Sequence, residues 1–348
     1  MTTDPYPRIR ATGAFERQVA RGLGDLPADT LVVVACSGGP DSTAALIAVT
    51  RRLGPSRVVA ACFDHRLRRP TEVARERAVV EAVARDLGVR AVLGRAGRKP
   101  ADGSEAAARE SRYRWLARIC VDVGAEACVT GHTRDDQAET VLLRLARGSG
   151  ADGLTGMSSD APWPVRTPRS SSLRVRRPLL GIGRAEVEAY LGALRVEAAR
   201  DPSNETVEYA RNRVRHEVMP ALRLVNARAV EHLVAFAERQ AEDEAVIAGL
   251  AEAWLAAHTL ASEPDGIGLD RLALRRLPAA VTARVVRLTA TRLGLTLDAV
   301  HVRAARRAAE ESSGTADLPL ARIESVGKIL WLRERPPTSG RTGNGPRR

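Results

Sequence analysis

The stretch LVVVACSGGPDS occupies residues 31–42. Its first half, Leu31 to Cys36, is a continuous apolar run, which is typical of a strand buried on both faces of a parallel sheet. Its second half, Ser37 to Ser42, contains two glycines and a proline, and helical periodicity follows from Thr43 to Leu53. A buried strand that ends in a glycine turn before a helix is the β–α unit of an α/β fold.

The same pattern recurs three times further along the chain. Apolar runs predict strands at residues 58–63, 89–93 and 127–130, and helical patterns follow them at 71–87, 104–123 and 134–147. Four β–α units in series predict a parallel, doubly wound sheet with helices on both faces, since right-handed crossovers are the rule.

The pattern changes after these units. Residues 160–177 are rich in proline and serine and predict a mobile loop. Residues 225–311 are rich in Ala, Leu and Arg with helical periodicity, which predicts a smaller, mainly helical domain with a small β element near 329–332. The predicted division is an N-terminal segment (1–24), an α/β domain (25–220), the helical domain (221–335) and a disordered basic tail (336–348).

Composition narrows the function classes. The chain has 348 residues and a formal net charge of +12, and nearly all of its positive charge is arginine. Arginine suits phosphate and nucleic acid, but a compositional bias explains the excess equally well. Only 3% of the residues are aromatic, which argues against a surface built on many base-stacking rings.

Several classes of protein are excluded because the sequence lacks their characteristic features. No apolar run reaches the roughly 18 residues that a membrane span needs, and the N-terminus has no secretory apolar core. The cysteines, Cys36, Cys62, Cys120 and Cys128, have no spacing typical of zinc sites or disulfide frameworks. We therefore expect a cytoplasmic protein with no membrane partner.

The segment Ser37-Gly38-Gly39-Pro40-Asp41-Ser42 has the features of a phosphate loop. It lies at the carboxyl end of a strand, its glycines allow close backbone approach, and the next helix offers free N–H groups. Asp41 would repel phosphate unless Mg²⁺ lay between them. The segment is neither GxxxxGK[ST] nor GxGxxG, and a Gly-Pro turn with capping residues is the alternative interpretation.

A second cluster follows the fourth predicted strand, where residues 131–140 read GHTRDDQAET. The spacing puts Asp135, Asp136 and Glu139 on the first turn of a helix, and parallel topology would bring that turn to the edge that carries Ser37 to Ser42. Carboxylates and His132 could hold Mg²⁺ or move protons there. Helix capping by the same residues is the alternative.

Taken together, these motifs resemble those of the tRNA(Ile)-lysidine synthases, within the PP-loop ATP pyrophosphatases. Further segments match that family in order, over about residues 30–220. They are Asp64–Arg68, Glu105–Arg109 with Arg112-Tyr113, Arg147–Gly150, Gly153–Met157, Arg177–Leu180, Asp201–Asn204 and Arg211–His216. Longer members of the family carry a further C-terminal domain, which we expect this chain to lack.

The resemblance implies a concrete reaction. Such enzymes use ATP to adenylate the C2 carbonyl oxygen of the wobble cytidine (C34) in a CAU-anticodon tRNA(Ile). The amine of free L-lysine then displaces AMP and gives lysidine, which changes codon reading from AUG to AUA. A PP-loop enzyme for tRNA 2-thiolation is the alternative, although the sequence shows no suitable pair of cysteines. A homodimer is compatible with the sequence, which does not fix the oligomeric state.

The resemblance also assigns candidate residues. It places Ser37, Gly38, Gly39, Pro40, Asp41, Ser42 and His65 near ATP, with Asp41 and Asp136 as carboxylates near Mg²⁺. It makes Asp41, Asp136 and His132 the catalytic candidates, with Asp136 a candidate base for the lysine amine. It gives the substrate-binding set Arg109, Arg112, Asp135, Glu139, Arg211, Asn212 and Arg215, and the helical domain a tRNA-binding role. By composition alone, the arginines of residues 161–223 favour a solvated surface paired with nearby acids over a band that holds the anticodon-stem phosphates or the carboxylate of lysine. The resemblance reverses this for Arg211 and Asn212.

Overall fold

The computed structural model describes residues 4–27, 29–98, 105–165, 167, 170, 172–199, 210–295, 297, 299–311, 313–317 and 321–335. The chain forms two compact units. Unit 1 contains Met1–Ser149 and Gly153–Glu238, and unit 2 contains Gly150–Asp152 and Arg239–Arg348. The predicted block Asp201–Asn204 and the predicted tail 336–348 lie outside the described residues.

Unit 1 is built on a six-stranded sheet in the order β3-β2-β1-β4-β6-β5. Its strands are β1 (Val32–Cys36), β2 (Val58–Asp64), β3 (Arg90–Arg95), β4 (Ala127–Thr130), β5 (Asp160–Pro162) and β6 (Arg174–Arg176). All neighbours pair in parallel except β5, which is antiparallel to β6. The parallel sheet predicted from the four β–α units is thus confirmed.

Helices cover both faces of this sheet. The helices of unit 1 are α1 (Arg10–Leu23), α2 (Pro40–Leu53), α3 (Pro70–Asp86), α4 (Glu105–Val123), α5 (Arg134–Ala146), α6 (Arg184–Leu194), α7 (Ala210–Arg213), α8 (Met219–Val225) and α9 (Ala229–His258), which ends in unit 2. Val32 and Val34 of β1 belong to the core that includes α1, α2, α3 and α6, whereas Val33 packs with residues of α4. Alternate residues of one strand therefore face opposite layers, as a doubly wound sheet requires.

Two segments contain elements that the sequence analysis did not predict. The N-terminal segment contains α1, whose residues Phe15, Val19 and Leu23 are buried at the four-residue spacing of an amphipathic helix. The Phe15 ring stacks on Tyr190 with centroids 4.0 Å apart. The prediction of a mobile loop over residues 160–177 is wrong at both ends, because β5 and β6 join the sheet there through backbone hydrogen bonds.

Unit 2 combines helices with a five-stranded antiparallel sheet in the order β7-β8-β11-β10-β9. Its other elements are β7 (Thr259–Glu263), β8 (Gly266–Asp270), α10 (Arg271–Leu274), α11 (Ala279–Arg292), α12 (Ala299–Glu310), β9 (Ser313–Asp317), β10 (Ala321–Val326) and β11 (Ile329–Glu334). The predicted helices are present, and the predicted β element is β11. The edge strands β7 and β9 were missed because they are largely exposed and lack apolar alternation. The sequence analysis also missed β8, which is mostly buried, and β10, which alternates buried and exposed residues. Within the described ranges, no helix is both long and apolar enough to cross a membrane.

Candidate active site

The loop from Ser37 to Ser42 connects β1 with α2 and is closed by its own side chains. The Ser42 Oγ atom accepts a hydrogen bond from the Ser37 N–H at 3.1 Å and donates one to the Gly39 carbonyl oxygen at 3.1 Å. The two serine hydroxyls are 3.2 Å apart. This local network holds the loop in one shape before any ligand binds.

Gly38 and Pro40 shape the same loop through the backbone. Gly38 has a φ of +79°, and a Cβ there would lie 2.6 Å from the Glu76 carbonyl oxygen. Both the positive φ and the short distance to Glu76 therefore require glycine at this position. Pro40 opens α2, where a missing N–H is harmless. The amides of the first turn of α2 have no partners within the helix and can bind an anion.

The end of β4 lies directly against this loop. A Cβ on Gly131 would be 2.8 Å from the carbonyl carbon of Asp41 and 2.9 Å from the backbone nitrogen of Ser42. The residues after Gly131 open α5. The structure thus brings the two sequence clusters together at one edge of the sheet.

Two carboxylates in α5, Asp136 and Glu139, share three guanidinium groups. Arg184, Arg211 and Arg215 each contact both carboxylates. The Asp136 Oδ1 atom is 2.7, 3.1 and 3.3 Å from nitrogens of these arginines in that order. Glu139, only 1% exposed, accepts four hydrogen bonds of 2.8–3.0 Å from them. Three positive charges therefore surround two negative charges.

Asp136 also caps α5. The Thr133 backbone N–H donates to Asp136 Oδ2 at 2.8 Å, and the Thr133 hydroxyl donates to the same atom at 3.0 Å. Both oxygens of Asp136 are therefore used, one by guanidinium groups and the other by the helix cap. The helix-capping role that the sequence left as an alternative is thus present, in a side chain that also pairs with guanidinium groups.

Arg211 and Arg215 are presented by an irregular helix. Between α7 and α8 the chain forms a π-helical turn over Val214–Val218, and Pro220 follows in the first turn of α8. Proline has no N–H to donate to the carbonyl group four residues earlier, so the regular ladder is interrupted here. Both arginines still reach Glu139, whereas the intervening Arg213 has a side chain that is 62% exposed.

The carboxyl groups differ in pKa. Burial disfavours the ionised form of Asp136, but the charges of Arg184 and Arg211 prevail and lower its pKa to about 2. Burial likewise opposes ionisation of Glu139, and its hydrogen bond from Arg215 contributes most to a net lowering of the pKa. Burial and then the charge of Asp136 raise the pKa of Asp41 to about 7. At neutral pH only Asp41 is close to its titration midpoint.

Both histidines predicted for the site are neutral at pH 7. The His132 Nδ1 atom is 2.8 Å from the Thr130 hydroxyl, and burial lowers its pKa to about 3 although Asp136 opposes the shift. His65, which follows β2, has a pKa lowered to about 4 by burial and by the charge of Arg112. These rings can take part in hydrogen bonds without adding charge.

The remaining predicted residues lie around this centre. Asp135 joins three helices, because it accepts the Arg184 backbone N–H at 2.9 Å and the Arg223 guanidinium at 2.8 Å. Asn212 is partly buried on α7. Arg109 and Arg112 lie on α4, with their guanidinium carbons 5.0 and 5.4 Å from the centre of the Tyr113 ring.

The sequence analysis missed Arg184 and Arg223. Arg184 is the first residue of α6 and lies 45 positions from Glu139, which it contacts. Spacing rules relate residues within one element, so no such rule pairs these two side chains. The signals in the sequence were the nearby block Arg177–Leu180 and the arginine-rich stretch of residues 161–223, which includes both arginines.

The residues at this edge fit Mg²⁺ through Asp41. Mg²⁺ takes oxygen ligands and often only one or two carboxylates, with water and phosphate oxygens completing its shell. Asp41 adjoins the amides of the loop, and its raised pKa reports negative charge that a cation would neutralise. Asp136 could serve as a ligand to Mg²⁺ only after one of its guanidinium partners has moved away from the carboxylate. Within the described ranges no group of three or more His, Cys, Asp or Glu residues could form a complete metal cage.

Comparison with known proteins identifies the family. Residues 12–222 match the PP-loop domain. The sequence is 40% identical to the tRNA(Ile)-lysidine synthase of Thermobifida fusca over 322 residues, which cover 87% of this chain and 91% of the relative. The chain belongs to the tRNA(Ile)-lysidine synthase family. The enzyme of that name from Rhodopseudomonas palustris is 36% identical over 346 residues, covering 93% of this chain and 96% of its own.

The resemblance inferred from the motifs is therefore confirmed. The family is one of ATP-dependent ligases, and unit 1 contains its PP-loop domain. Among solved structures, the U34-tRNA thiolase NcsA from Methanococcus maripaludis has a TM-score of 0.55 and 15% identity, covering 67% of this chain and 80% of that chain. At this identity the likeness shows the fold alone.

Proposed function

We propose that the protein adenylates the C2 carbonyl oxygen of cytidine 34 in a CAU-anticodon tRNA(Ile) and then joins free L-lysine to C2. The products are lysidine, AMP and pyrophosphate. The observation that carries the proposal is the contact of Gly131 with the Asp41 backbone, because it sets the carboxylate–guanidinium cluster of α5 beside the phosphate loop. Family membership supplies the identity of the RNA and the amino acid.

The loop from Ser37 to Ser42 binds the phosphates of ATP in this proposal. Its amides and hydroxyls surround an anion at the start of α2, and the pre-formed hydrogen bonds of Ser42 reduce the reorganisation needed on binding. His65, neutral and close to the same edge, completes the predicted ATP set.

Asp41 would hold Mg²⁺, with Asp136 contributing negative charge nearby. When bound, the ion supplies charge neutralisation for the phosphates. The protein supplies the position: Asp41 stands in the first turn of α2, and burial keeps its carboxylate from being fully hydrated. In the adenylation step the C2 oxygen bonds to the α-phosphorus of ATP as pyrophosphate leaves, so that a poor leaving oxygen on the base becomes part of AMP, a good leaving group.

The cluster of Asp136, Glu139 and their arginines would receive lysine. An amino acid presents an ammonium group and a carboxylate. The cluster has carboxylates to bind the first and guanidinium groups to bind the second, within a few ångströms of one another. Asp136 has a pKa of about 2 and is therefore a weak base. Its negative charge is accordingly a more effective contribution to the reaction than proton abstraction from the lysine amine. An Asp136→Asn enzyme with normal turnover would exclude either role.

The incorporation of radiolabelled lysine tests the proposal. An unmodified CAU-anticodon tRNA(Ile) transcript is incubated with lysine, with and without ATP, and a methionine tRNA with the same anticodon serves as the control. ATP-dependent label in the isoleucine tRNA alone is the expected result. Release of pyrophosphate without label would overturn lysine as the nucleophile, and the absence of both would overturn adenylation.

The thiolation alternative is less well supported by the cysteines. All four are buried thiols, and burial raises the pKa of Cys62 to about 11 and that of Cys36 further. A sulfur carrier needs an accessible thiolate at neutral pH. The cytoplasmic location, the homodimer and tRNA binding by unit 2 stay predictions.

A further inference from the structure

A second group of arginines lies beside the active site and has no carboxylate partner. Arg177 is buried, with an exposed fraction of 6%. Its Nη1 atom donates to the Ser158 carbonyl oxygen at 2.6 Å, while its buried Nε atom has no hydrogen-bond partner. Tyr113 is fully buried next to it, with its hydroxyl close to the guanidinium group. Arg177 is therefore a buried cation whose polar neighbours here are a backbone carbonyl and a tyrosine hydroxyl.

Two further guanidinium groups act on Arg177 electrostatically. Burial lowers the pKa of Arg177, Tyr113 opposes the shift, and the charges of Arg109 and Arg144 add to it. Arg144 donates to the carbonyl oxygens of Gly153 and Gly156 at 2.9 and 2.7 Å, so its bonds go to the backbone. Among the ion pairs of the described residues, none gives Arg109, Arg144 or Arg177 a carboxylate.

This arrangement is unfavourable in the free protein. A buried guanidinium without a counter-charge loses hydration and gains no ion pair, and neighbouring cations add repulsion. An anion would remove both penalties. Arg109 provides access to it, because this side chain is exposed and its guanidinium lies over the Tyr113 ring at 5.0 Å.

We propose that Arg109, Arg144 and Arg177 form a binding site for a phosphodiester group of the tRNA strand that carries the target base. The inference rests on the proposed function and extends it to two arginines that the motif analysis did not assign. Arg109 contacts the phosphate, and Arg144 and Arg177 raise the positive potential beneath it. Holding the backbone here would keep the extruded cytidine at the edge where ATP binds.

The charges around Arg109 favour RNA, rather than the carboxylate of lysine, as the ligand of this site. A zwitterionic amino acid needs an anion beside its cation site, which the Asp136 cluster has and the Arg109 site lacks. Three guanidinium groups also exceed what one carboxylate requires, whereas an RNA strand brings one negative charge with every nucleotide. Arg112 contacts the same Tyr113 ring and adds to the field.

Binding of the isoleucine tRNA transcript without ATP tests this site. The variant is Arg109→Ala, and the matched control is Arg118→Ala, an exposed arginine on the same helix. We expect Arg109→Ala to weaken binding and raise the KM for tRNA about tenfold, leaving the KM for lysine unchanged. The slope of log affinity against log salt should fall by about 0.7–0.9. A rise in the KM for lysine instead would overturn the assignment, as would no change in either.

Arg177→Met separates function from structure. Because the buried charge is uncompensated in the free protein, this variant should melt no lower than the wild type and yet bind the transcript about tenfold more weakly. A lower melting temperature with unchanged tRNA affinity would show a structural role only. Failure of the proposed function is distinct, because wild-type enzyme would then incorporate no lysine whatever the variants do.

Discussion

Replacing Glu139 with glutamine removes one charge from the most buried part of the cluster. The side chain of Glu139 is 1% exposed and faces three guanidinium groups that are 23–27% exposed. Breaking a buried ion pair by removing one partner costs about 3–5 kcal/mol. Since water still reaches each arginine, we expect the lower end of that range, about 3 kcal/mol, in the free energy of unfolding.

Glu139→Gln should therefore melt about 6–12 °C below the wild type, for a unit of this size. Thermal and urea unfolding followed by circular dichroism measure the difference. The matched control is Glu231→Gln, whose carboxylate is 3.8 Å from Arg134 in an exposed pair. An exposed pair contributes at most about 1 kcal/mol, so the control should shift little.

The pH dependence makes the reasoning refutable. The pKa of Glu139 is lowered in the folded protein, so its ionisation stabilises the fold above the unfolded value of about 4.3. That contribution is lost as the pH falls through the lower folded pKa. The gap between wild type and variant should thus be full at pH 7 and shrink below about pH 4. A gap under 1 kcal/mol at pH 7, or one that persists unchanged to pH 3, would refute the account.

Two further substitutions test the loop. Asp41→Asn should reduce ATP-dependent pyrophosphate release at least about a hundredfold and leave tRNA affinity intact; a variant that still turns over would exclude the role of Asp41. Because the pKa of Asp41 is raised to about 7, its ionisation destabilises the metal-free fold as the pH rises from about 4 to 7. The same variant should therefore melt above the wild type at pH 8 but not at pH 4, and equal melting at pH 8 would contradict a pKa raised by burial and then by the charge of Asp136. Gly38→Ala should weaken ATP binding measured by calorimetry, since its φ of +79° and the 2.6 Å approach to Glu76 leave no room for a Cβ. Gly192→Ala, which has open space around it in α6, is the control and should bind ATP normally.

The strands β1 to β4 of unit 1 could be predicted to within one or two residues, because each is an apolar run ended by a turn. Val32 to Cys36 and Ala127 to Thr130 are examples. Strands β5 and β6 could not, because each has three residues and depends on pairing at the sheet edge. The edge strands β7 and β9 of the sheet in unit 2 were missed for a similar reason, since exposed edge strands carry little hydrophobic pattern.

The candidate site was predictable where its chemistry is local. The loop around Gly38 and the first turn of α5 show their residue types at fixed spacing, so their turn and capping geometry follows from short-range rules. Arg184 shows the opposite case. Its contacts with Asp136 and Glu139 join α6 to α5 across 45 and more positions, and no local rule encodes such a pairing.

By itself, the sequence determined the β–α order, the phosphate loop and the carboxylates of α5, since backbone conformation and hydrophobic periodicity act over a few residues. Only the tertiary structure decided which charges meet. It gave Asp136 and Glu139 three arginines, left Asp41 with a raised pKa, and buried Arg177 without a carboxylate. The physical reason is that electrostatic energy depends on distance and burial, which are set when distant parts of the chain pack together.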